Sequence, residues 1–370
     1  MPKVMGSLAP GLLFILLVSA AGSSVYSEET GELRLNQLQF IGTHNSYHVA
    51  LPKSQLRKLG RINRNWENSL NYTHRSLTDQ LEDLGMRHFE LDLFADPKGG
   101  HLLKKGALGL LGLTTAQPEN FRKALMIPGF KILHEPSVDY LSTTPSLISA
   151  LKEIKAWSLR NPSHPPLFIL LEMKESSPVP FAKKPISFTR KTLEAVETEI
   201  LSVFKINKII TPDSVRGKTQ TLRQAVREKG WPTLETSRSK VMFGLDNSGK
   251  IRDLYLKGNP SLEGRLLFAS VGENDPGAAW FKINDPLRDF ALIQRLVRAG
   301  FMVRTRADSD TREARMNDTR RRDRALASGA QFISTDFPEP KQDISNYSVR
   351  FQKAASYRHN PVSQTGKDRP

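Results

Sequence analysis

Residues 166–172 read Pro-Leu-Phe-Ile-Leu-Leu-Glu, an unbroken apolar run that ends on a carboxylate. A half-exposed strand alternates apolar and polar residues. A run without alternation suits a strand covered on both faces, the usual condition of a parallel sheet wrapped by helices. The flanks agree. Thr144-Pro145 is a cap followed by proline, which opens a helix over 146–159, and residues 189–204 space their apolar side chains by three and four. Helix, buried strand, helix is the building unit of an α/β fold.

Outward from this unit the pattern repeats. Strand-like runs stand at 39–43 (QFIGT), 87–93 (RHFELDL), 130–133 (FKIL), 240–245 (KVMFGL), 265–271 (RLLFASV), 301–305 (FMVRT) and 331–335 (QFIST). Further helices open at Ser76-Leu77-Thr78-Asp79 and stop at Gly85, span 286–299 before Gly300, and span 311–328 before Gly329. Eight strands alternating with helices predict an α/β fold, a (β/α)8 TIM-type barrel, in preference to a doubly wound sheet. The expected organisation is one catalytic domain over 22–341. Ahead of it, Lys3, the apolar stretch 12–18 (LLFILLV) and the small residues Ser19-Ala20-Ala21 read as a secretory signal peptide over 1–21. That stretch is shorter than the ~20 residues of a membrane span. The expected location is secreted, or periplasmic or extracellular. Residues 342–370 are polar and basic, and disorder is expected from 352.

Composition narrows the function. Of 370 residues, 38% are hydrophobic and 25% charged, a globular mix. The absence of cysteine excludes a disulfide framework, a thiolate metal site and a cysteine nucleophile. Lys+Arg total 54 against 38 Asp+Glu, giving +16, which points to an anionic partner such as a membrane surface. There is no nucleic-acid motif and no basic stretch interleaved with aromatics, so no nucleic acid is expected. The run Arg320-Arg321-Arg322 reads as a solvated helix face. Asn71, Asn317 and Asn346 begin glycosylation sequons. A monomer is expected.

In a barrel, chemistry gathers at the C-terminal ends of the strands. Strand 1 ends in Thr43-His44-Asn45-Ser46, strand 2 carries Glu90-Leu91-Asp92, strand 3 ends in His134, strand 4 in Glu172 with Lys174 beyond, and strand 8 in Asp336. Glu90 and Asp92 share one face. Asn45, Glu90, Asp92 and Glu172 offer one neutral oxygen and three carboxylates, which repel unless a cation neutralises them. All-oxygen ligation selects a hard ion, and this loose set suits one Ca2+ better than Mg2+. His44 and His134 flank the cluster, as a general base and acid would. Strand 8 neighbours strand 1, so Asp336 can reach the His44 ring and fix its tautomer.

The segments 40–47 (FIGTHNSY), 89–93 (FELDL), Leu133-His134, 171–174 (LEMK), 231–234 (WPTL), 303–308 (VRTRAD) and 334–338 (STDFP) together resemble the calcium-dependent phosphatidylinositol-specific phospholipases C, the secreted single-domain type of bacteria and fungi. The resemblance spans about residues 36–340. It implies a TIM-type barrel, a bound calcium ion held by Asn45, Glu90, Asp92 and Glu172, and acid/base roles for His44 and His134. It further implies phosphatidylinositol in membranes as substrate, cleaved to diacylglycerol and a cyclic inositol phosphate. Lys174 is a candidate phosphate contact, with an ion pair to Glu172 or Asp246 as the alternative. Arg304 and Arg306 share a face; one is expected to bind inositol, with an ion pair to Asp308 as the alternative. The loop 106–113 (GALGLLGL), after Lys104-Lys105, departs from the family pattern and reads either as a membrane-dipping loop or as a helix packed on the barrel. A glycerophosphodiester phosphodiesterase shares the plan, but its first strand usually ends in His-Arg-Gly, where this chain has His44-Asn45-Ser46. A catalytically inactive phosphoinositide-binding barrel is a third reading, disfavoured because both histidines and all four ligand positions are present.

Overall fold

The strands of the computed structural model are β1 (Leu38–Thr43), β2 (His88–Asp96), β3 (Gly129–Ile132), β4 (Leu167–Met173), β5 (Ile209–Ile210), β6 (Val241–Leu245), β7 (Leu267–Ala269), β8 (Trp280–Lys282), β9 (Met302–Arg306), β10 (Phe332–Thr335) and β11 (Arg358–His359). The structure describes residues 33–103, 118–136, 138–177 and 184–363. Parallel ladders run β1–β2–β4–β6–β7 in one direction and β1–β10–β9–β8 in the other. A parallel bridge between Ser270 and Trp280 links the two ends. Among the described residues, eight parallel strands thus curl into the expected TIM-type barrel.

The run that decided the fold behaves as read: β4 is buried throughout except at Glu172. Aromatic rings fill the barrel beneath it. Phe168 of β4 stacks on Phe332 at 4.4 Å and on His88 at 5.2 Å, with Trp280 edge-on at 5.5 Å. Such pairs add about 0.5–1.5 kcal/mol each beyond the area they bury. β1 and β2 approach closely at Gly42, where an added Cβ would stand 2.0 Å from the His88 carbonyl oxygen.

The helices are α1 (Lys53–Ile62), α2 (Arg64–Ser69), α3 (Leu77–Glu82), α4 (Glu119–Met126), α5 (Leu147–Arg160), α6 (Arg190–Val203), α7 (Pro212–Arg216), α8 (Leu222–Glu228), α9 (Leu234–Ser237), α10 (Gly249–Leu256), α11 (Phe290–Arg298), α12 (Arg312–Met316) and α13 (Arg320–Ala327). Side-chain caps explain several starts: Ser76, Ser146 and Thr189 each accept a backbone N–H of the first turn of α3, α5 and α6. Residues after β1 and β2 build a cap over the C-terminal ends of the strands, with its own apolar cluster. Leu56 and Leu59 of α1 and Phe121 and Leu125 of α4 join Leu70, Phe94, Leu102, Leu133, Val138 and Tyr140.

Several expectations are corrected. The run at 130–133 is not a barrel strand. β2 overshoots the barrel mouth, and β3 pairs antiparallel with its overhang, Leu93 opposite Ile132 and Asp96 opposite Gly129. The eighth barrel strand is β8, three residues long and reached from β7 without a helix. The helix at 311–328 is two helices, because Asn317 takes a left-handed φ of 49° that breaks the ladder. The helix at 286–299 begins only at Phe290. The tail is ordered as far as it is described: β11 pairs antiparallel with Leu38 and Gln39, Arg358 Nε donates to Gln39 Oε1 at 2.8 Å, and Tyr347 is buried. Arg321 is no solvated residue, for its guanidinium donates to the carbonyls of Asn284 and Arg306. The signal-peptide reading at 1–21 and the loop reading at 104–113 lie outside the described residues. Among those described, no helix is long and apolar enough to cross a membrane.

Candidate active site

The turn after β1 is fixed by short-range polar bonds. The Thr43 hydroxyl donates to Gln80 Oε1 at 2.6 Å, Gln80 Nε2 donates to the Ser46 carbonyl at 2.7 Å, and the Ser46 hydroxyl accepts the Glu90 N–H at 2.9 Å. Asn45 sits at φ 44°, a left-handed conformation that asparagine tolerates. The turn thereby separates His44 from Asn45, whose amide donates to the Tyr72 hydroxyl at 3.2 Å.

His44 Nδ1 lies 2.8 Å from Asp336 Oδ1, as the adjacency of first and last strands implied. A carboxylate only accepts, so Nδ1 carries a proton and the neutral ring is the Nδ1–H tautomer, with its lone pair on Nε2. Arg306 caps this pair: Nη2 donates to Asp336 Oδ2 at 3.2 Å, Nη1 stands 3.4 Å from His44 Nε2, and Nε donates to the Asp308 carbonyl at 3.0 Å. Burial pushes the Asp336 carboxyl up, but His44 and Arg306 outweigh it and hold it at about 2.

His134 is held the same way by a residue that sequence reasoning missed. Its Nδ1 lies 2.8 Å from Oδ2 of Asp139, which is fully buried. The loop folds back through paired backbone bonds between Glu135 and Asp139, so five positions of sequence become one hydrogen bond. Asp139 also takes His48 Nε2 at 2.8–2.9 Å, and His48 Nδ1 faces the Tyr72 carbonyl at 3.0 Å. Burial pulls the His134 pKa down, but the bond and charge of Asp139 prevail and raise it above the ordinary value.

The carboxylates stand on β2 and β4. Asp92 and Glu172 are opposite partners across β2 and β4. Burial, then the Asp92 charge, pushes Glu172 up to about 7. Lys174 Nζ answers that repulsion, 3.2 Å from Asp92 Oδ2 and 3.3 Å from Glu172 Oε1. Its predicted alternative partner, Asp246, is instead taken by Lys282 Nζ at 2.6 Å. Lys282 was missed because β8 was missed. Glu90 is buried and would be pushed up by burial, yet Arg304 and His88 hold it well below the carboxylate range. Arg304 Nε donates to Glu90 Oε1 at 2.8 Å, His88 Nε2 lies 3.0 Å from the same oxygen, and Arg304 Nη1 donates to Asn284 Oδ1. Neither arginine makes a side-chain pair with Asp308; Arg304 serves Glu90 and Arg306 serves Asp336. Asn247 clamps the end of β4 through both the N–H and the carbonyl of Met173, at 2.8 and 3.0 Å. A cavity of about 330 Å3 opens here, lined by His134, Glu172, Lys174 and Asn247.

Among the described residues, no three His, Asp or Glu side chains stand grouped as metal ligands. The donor chemistry nevertheless fits a hard cation. Asp92 and Glu172 are an oxygen pair whose mutual repulsion requires positive charge between them, and an ammonium now occupies that position.

The family described as Ca2+-dependent phosphoinositide phospholipase C matches residues 33–361. A calcium-dependent phosphoinositol-specific phospholipase C from a Gram-negative bacterium, Pseudomonas sp., superposes in its apo form with a TM-score of 0.53 at 14% identity, covering 89% of this chain and 96% of that one. The myoinositol complex of the Pseudomonas enzyme gives the same values. A Ca2+-dependent phosphatidylinositol-specific phospholipase C from Streptomyces antibioticus reaches 0.51 at 15% identity over 86% and 99% of the two chains. No protein with a curated description matches. These likenesses support the barrel, and the family match extends over nearly the whole described chain: it belongs to the Ca2+-dependent phosphoinositide phospholipase C family.

Proposed function

We propose that the protein cuts the phosphodiester of phosphatidylinositol, with His44 as general base and His134 as general acid, releasing diacylglycerol and a cyclic inositol phosphate. The observation that carries this is the pairing of each ring with its own buried aspartate through Nδ1. With Nδ1 turned to Asp336, the lone pair of the neutral His44 ring is at Nε2, beside Arg306 Nη1, and that nitrogen would take the proton of an inositol hydroxyl. Asp139 raises the His134 pKa, which favours the protonated ring that a departing alkoxide needs. Glu90 lies near enough to His44, and Asp92 to His134, for each pair to interact by charge. Asn45, Glu90, Asp92 and Glu172 would hold the calcium ion. When bound, that ion supplies Lewis acidity toward the hydroxyl and a phosphoryl oxygen. In this reading Arg306, beside His44, and Lys174, beside Glu172, would meet phosphate or inositol oxygens.

The substrate is a lipid, so the mouth must face a membrane. α1 stands on the cap and carries Lys53, Arg57, Lys58 and Arg61 exposed, followed by Arg64, with no acidic residue. Met126 and Ile127, 58% and 63% exposed, stand at the end of α4, which shares its apolar cluster with α1. These residues support docking on an anionic surface. Export through a cleaved segment at 1–21 is part of this reading, resting on sequence pattern alone. The test is release of labelled headgroup from phosphatidylinositol vesicles in Ca2+, in Mg2+ and in excess chelator. The reading expects release in Ca2+ alone; full release in chelator contradicts it.

A further inference from the structure

Beside the His44–Asp336 pair lies a second buried carboxylate that the proposed chemistry leaves unused. Asp308 follows β9 and is fully enclosed. Its Oδ1 accepts the backbone N–H of Asp336 at 2.8 Å, and its Oδ2 accepts from the Thr335 hydroxyl. The Tyr347 hydroxyl stands 3.2 Å from the same Oδ2 and 3.0 Å from the Ala307 carbonyl, sharing its one proton between them. Tyr347 belongs to the C-terminal segment. Its ring is buried edge-on against Phe337, with the Arg322 guanidinium over its face.

The arrangement is unfavourable to Asp308. Burial and the neighbouring Asp336 charge push its carboxyl up to about 7. Two enclosed carboxylates side by side cost stability unless each is fully bonded, and an apolar pair of similar volume is often no worse. What Asp308 does gain is geometric: with Thr335 it fixes the backbone that carries Asp336, while the Thr335 hydroxyl also accepts the Phe337 N–H at 2.9 Å. Asp336 in turn orients the His44 ring. We propose that Asp308, steadied by Tyr347 of the C-terminal segment, is a positioning residue that sets the place of Asp336 and, through it, the orientation of His44.

This inference rests on His44 acting as the base, and the experiment separates the two. kcat and KM are measured on a soluble inositol phosphodiester for the wild type, His44→Ala, Asp308→Ala, Asp308→Asn and Tyr347→Phe. Asp308→Ala and Tyr347→Phe are also combined with Asp336→Asn. Misplacement by about 1 Å costs up to ~10²-fold, so Asp308→Ala should lower kcat roughly 10- to 100-fold with KM little changed. Asp308→Asn keeps an oxygen that can accept the Asp336 N–H and should recover most of that rate. Tyr347→Phe loses one neutral hydrogen bond and keeps its ring packing; a loss of roughly fivefold is expected. In the Asp336→Asn background both substitutions should cost almost nothing more. If Asp308→Ala does not fold, Tyr347→Phe with and without Asp336→Asn decides alone. If His44→Ala turns over like the wild type, the catalytic reading has failed. If His44→Ala is inactive while Asp308→Ala and Tyr347→Phe keep wild-type kcat, or their losses multiply in full with that of Asp336→Asn, the positioning inference is overturned.

Discussion

Replacing Asp139 with Asn leaves one acceptor oxygen where two imidazoles now have a carboxylate. Asp139 takes His134 Nδ1 at 2.8 Å and His48 Nε2 at 2.8–2.9 Å, and its carboxylate is itself fully buried. The asparagine amide nitrogen must face one of the two rings, and the negative charge that raises the His134 pKa is gone. A hydrogen bond to a charged partner contributes about 1.5–3 kcal/mol. Lost from the protonated form of His134, that corresponds to roughly a 10- to 150-fold drop in the acid-assisted step. The assay compares dispersed short-chain phosphatidylinositol with an inositol phosphodiester whose leaving group is nitrophenolate. The diacylglycerol oxygen needs a proton as it departs; nitrophenolate does not. Asp139→Asn should therefore be slow on the lipid and close to wild type on the nitrophenyl substrate. Its rate should also fall at a lower pH than the wild type, because His134 deprotonates sooner without the carboxylate. Equal losses on both substrates, or no loss on the lipid, would refute the assignment of His134 as acid.

Other expectations follow from burial and charge. His164 is held neutral by burial at a pKa of about 4, so the folded state binds fewer protons than the unfolded one below pH ~6.5. Stability from this group is complete above that pH and falls by about 1.4 kcal/mol per unit on acidification toward 4. His164→Gln should flatten the pH dependence of the urea midpoint between pH 7 and 5, and an unchanged slope would count against it. Arg57→Gln and Arg61→Gln on α1 should each weaken binding to anionic vesicles free of phosphatidylinositol about fivefold, leaving soluble turnover intact; unaltered binding would remove α1 from the docking face. Gly42→Ala should destabilise by ~3 kcal/mol, the upper end for overpacking, because its Cβ meets the His88 backbone. A thermal midpoint equal to wild type would show that β1 and β2 can part.

What could be read in advance was what depends on pattern. β4 announced itself by an apolar run too long for an exposed strand, and α5 and α6 by caps and spacing. His44, Glu90, Asp92, Glu172 and Asp336 stood out as polar residues closing apolar strands, and the barrel brings them to one end. Direction and pairing were not encoded that way. Residues 130–133 have strand composition, but composition does not say that they answer the overhang of β2, and that return is what carries His134 back to the mouth. β8 is three residues within a turn-rich stretch and left too little periodicity to read. Asp139 and Asp308 are ordinary loop aspartates in sequence; only folding places them against an imidazole and a backbone N–H. The one local cue was the five-residue interval from His134 to Asp139, short enough for a loop to close. The tail looked disordered because its side chains are polar, yet it is held by backbone pairing and by Arg358 and Tyr347.

The most direct measurement is the phosphorus NMR spectrum of phosphatidylinositol incubated in Ca2+ with the wild type, His44→Ala and His134→Ala. The account predicts a cyclic inositol phosphate signal growing with the wild type. Its formation should be slower by roughly 10²-fold or more with each variant, while both variants keep the wild-type melting temperature. A cyclic product formed at the wild-type rate by either folded variant, or a wild-type reaction that releases free glycerophosphoinositol instead, would contradict it.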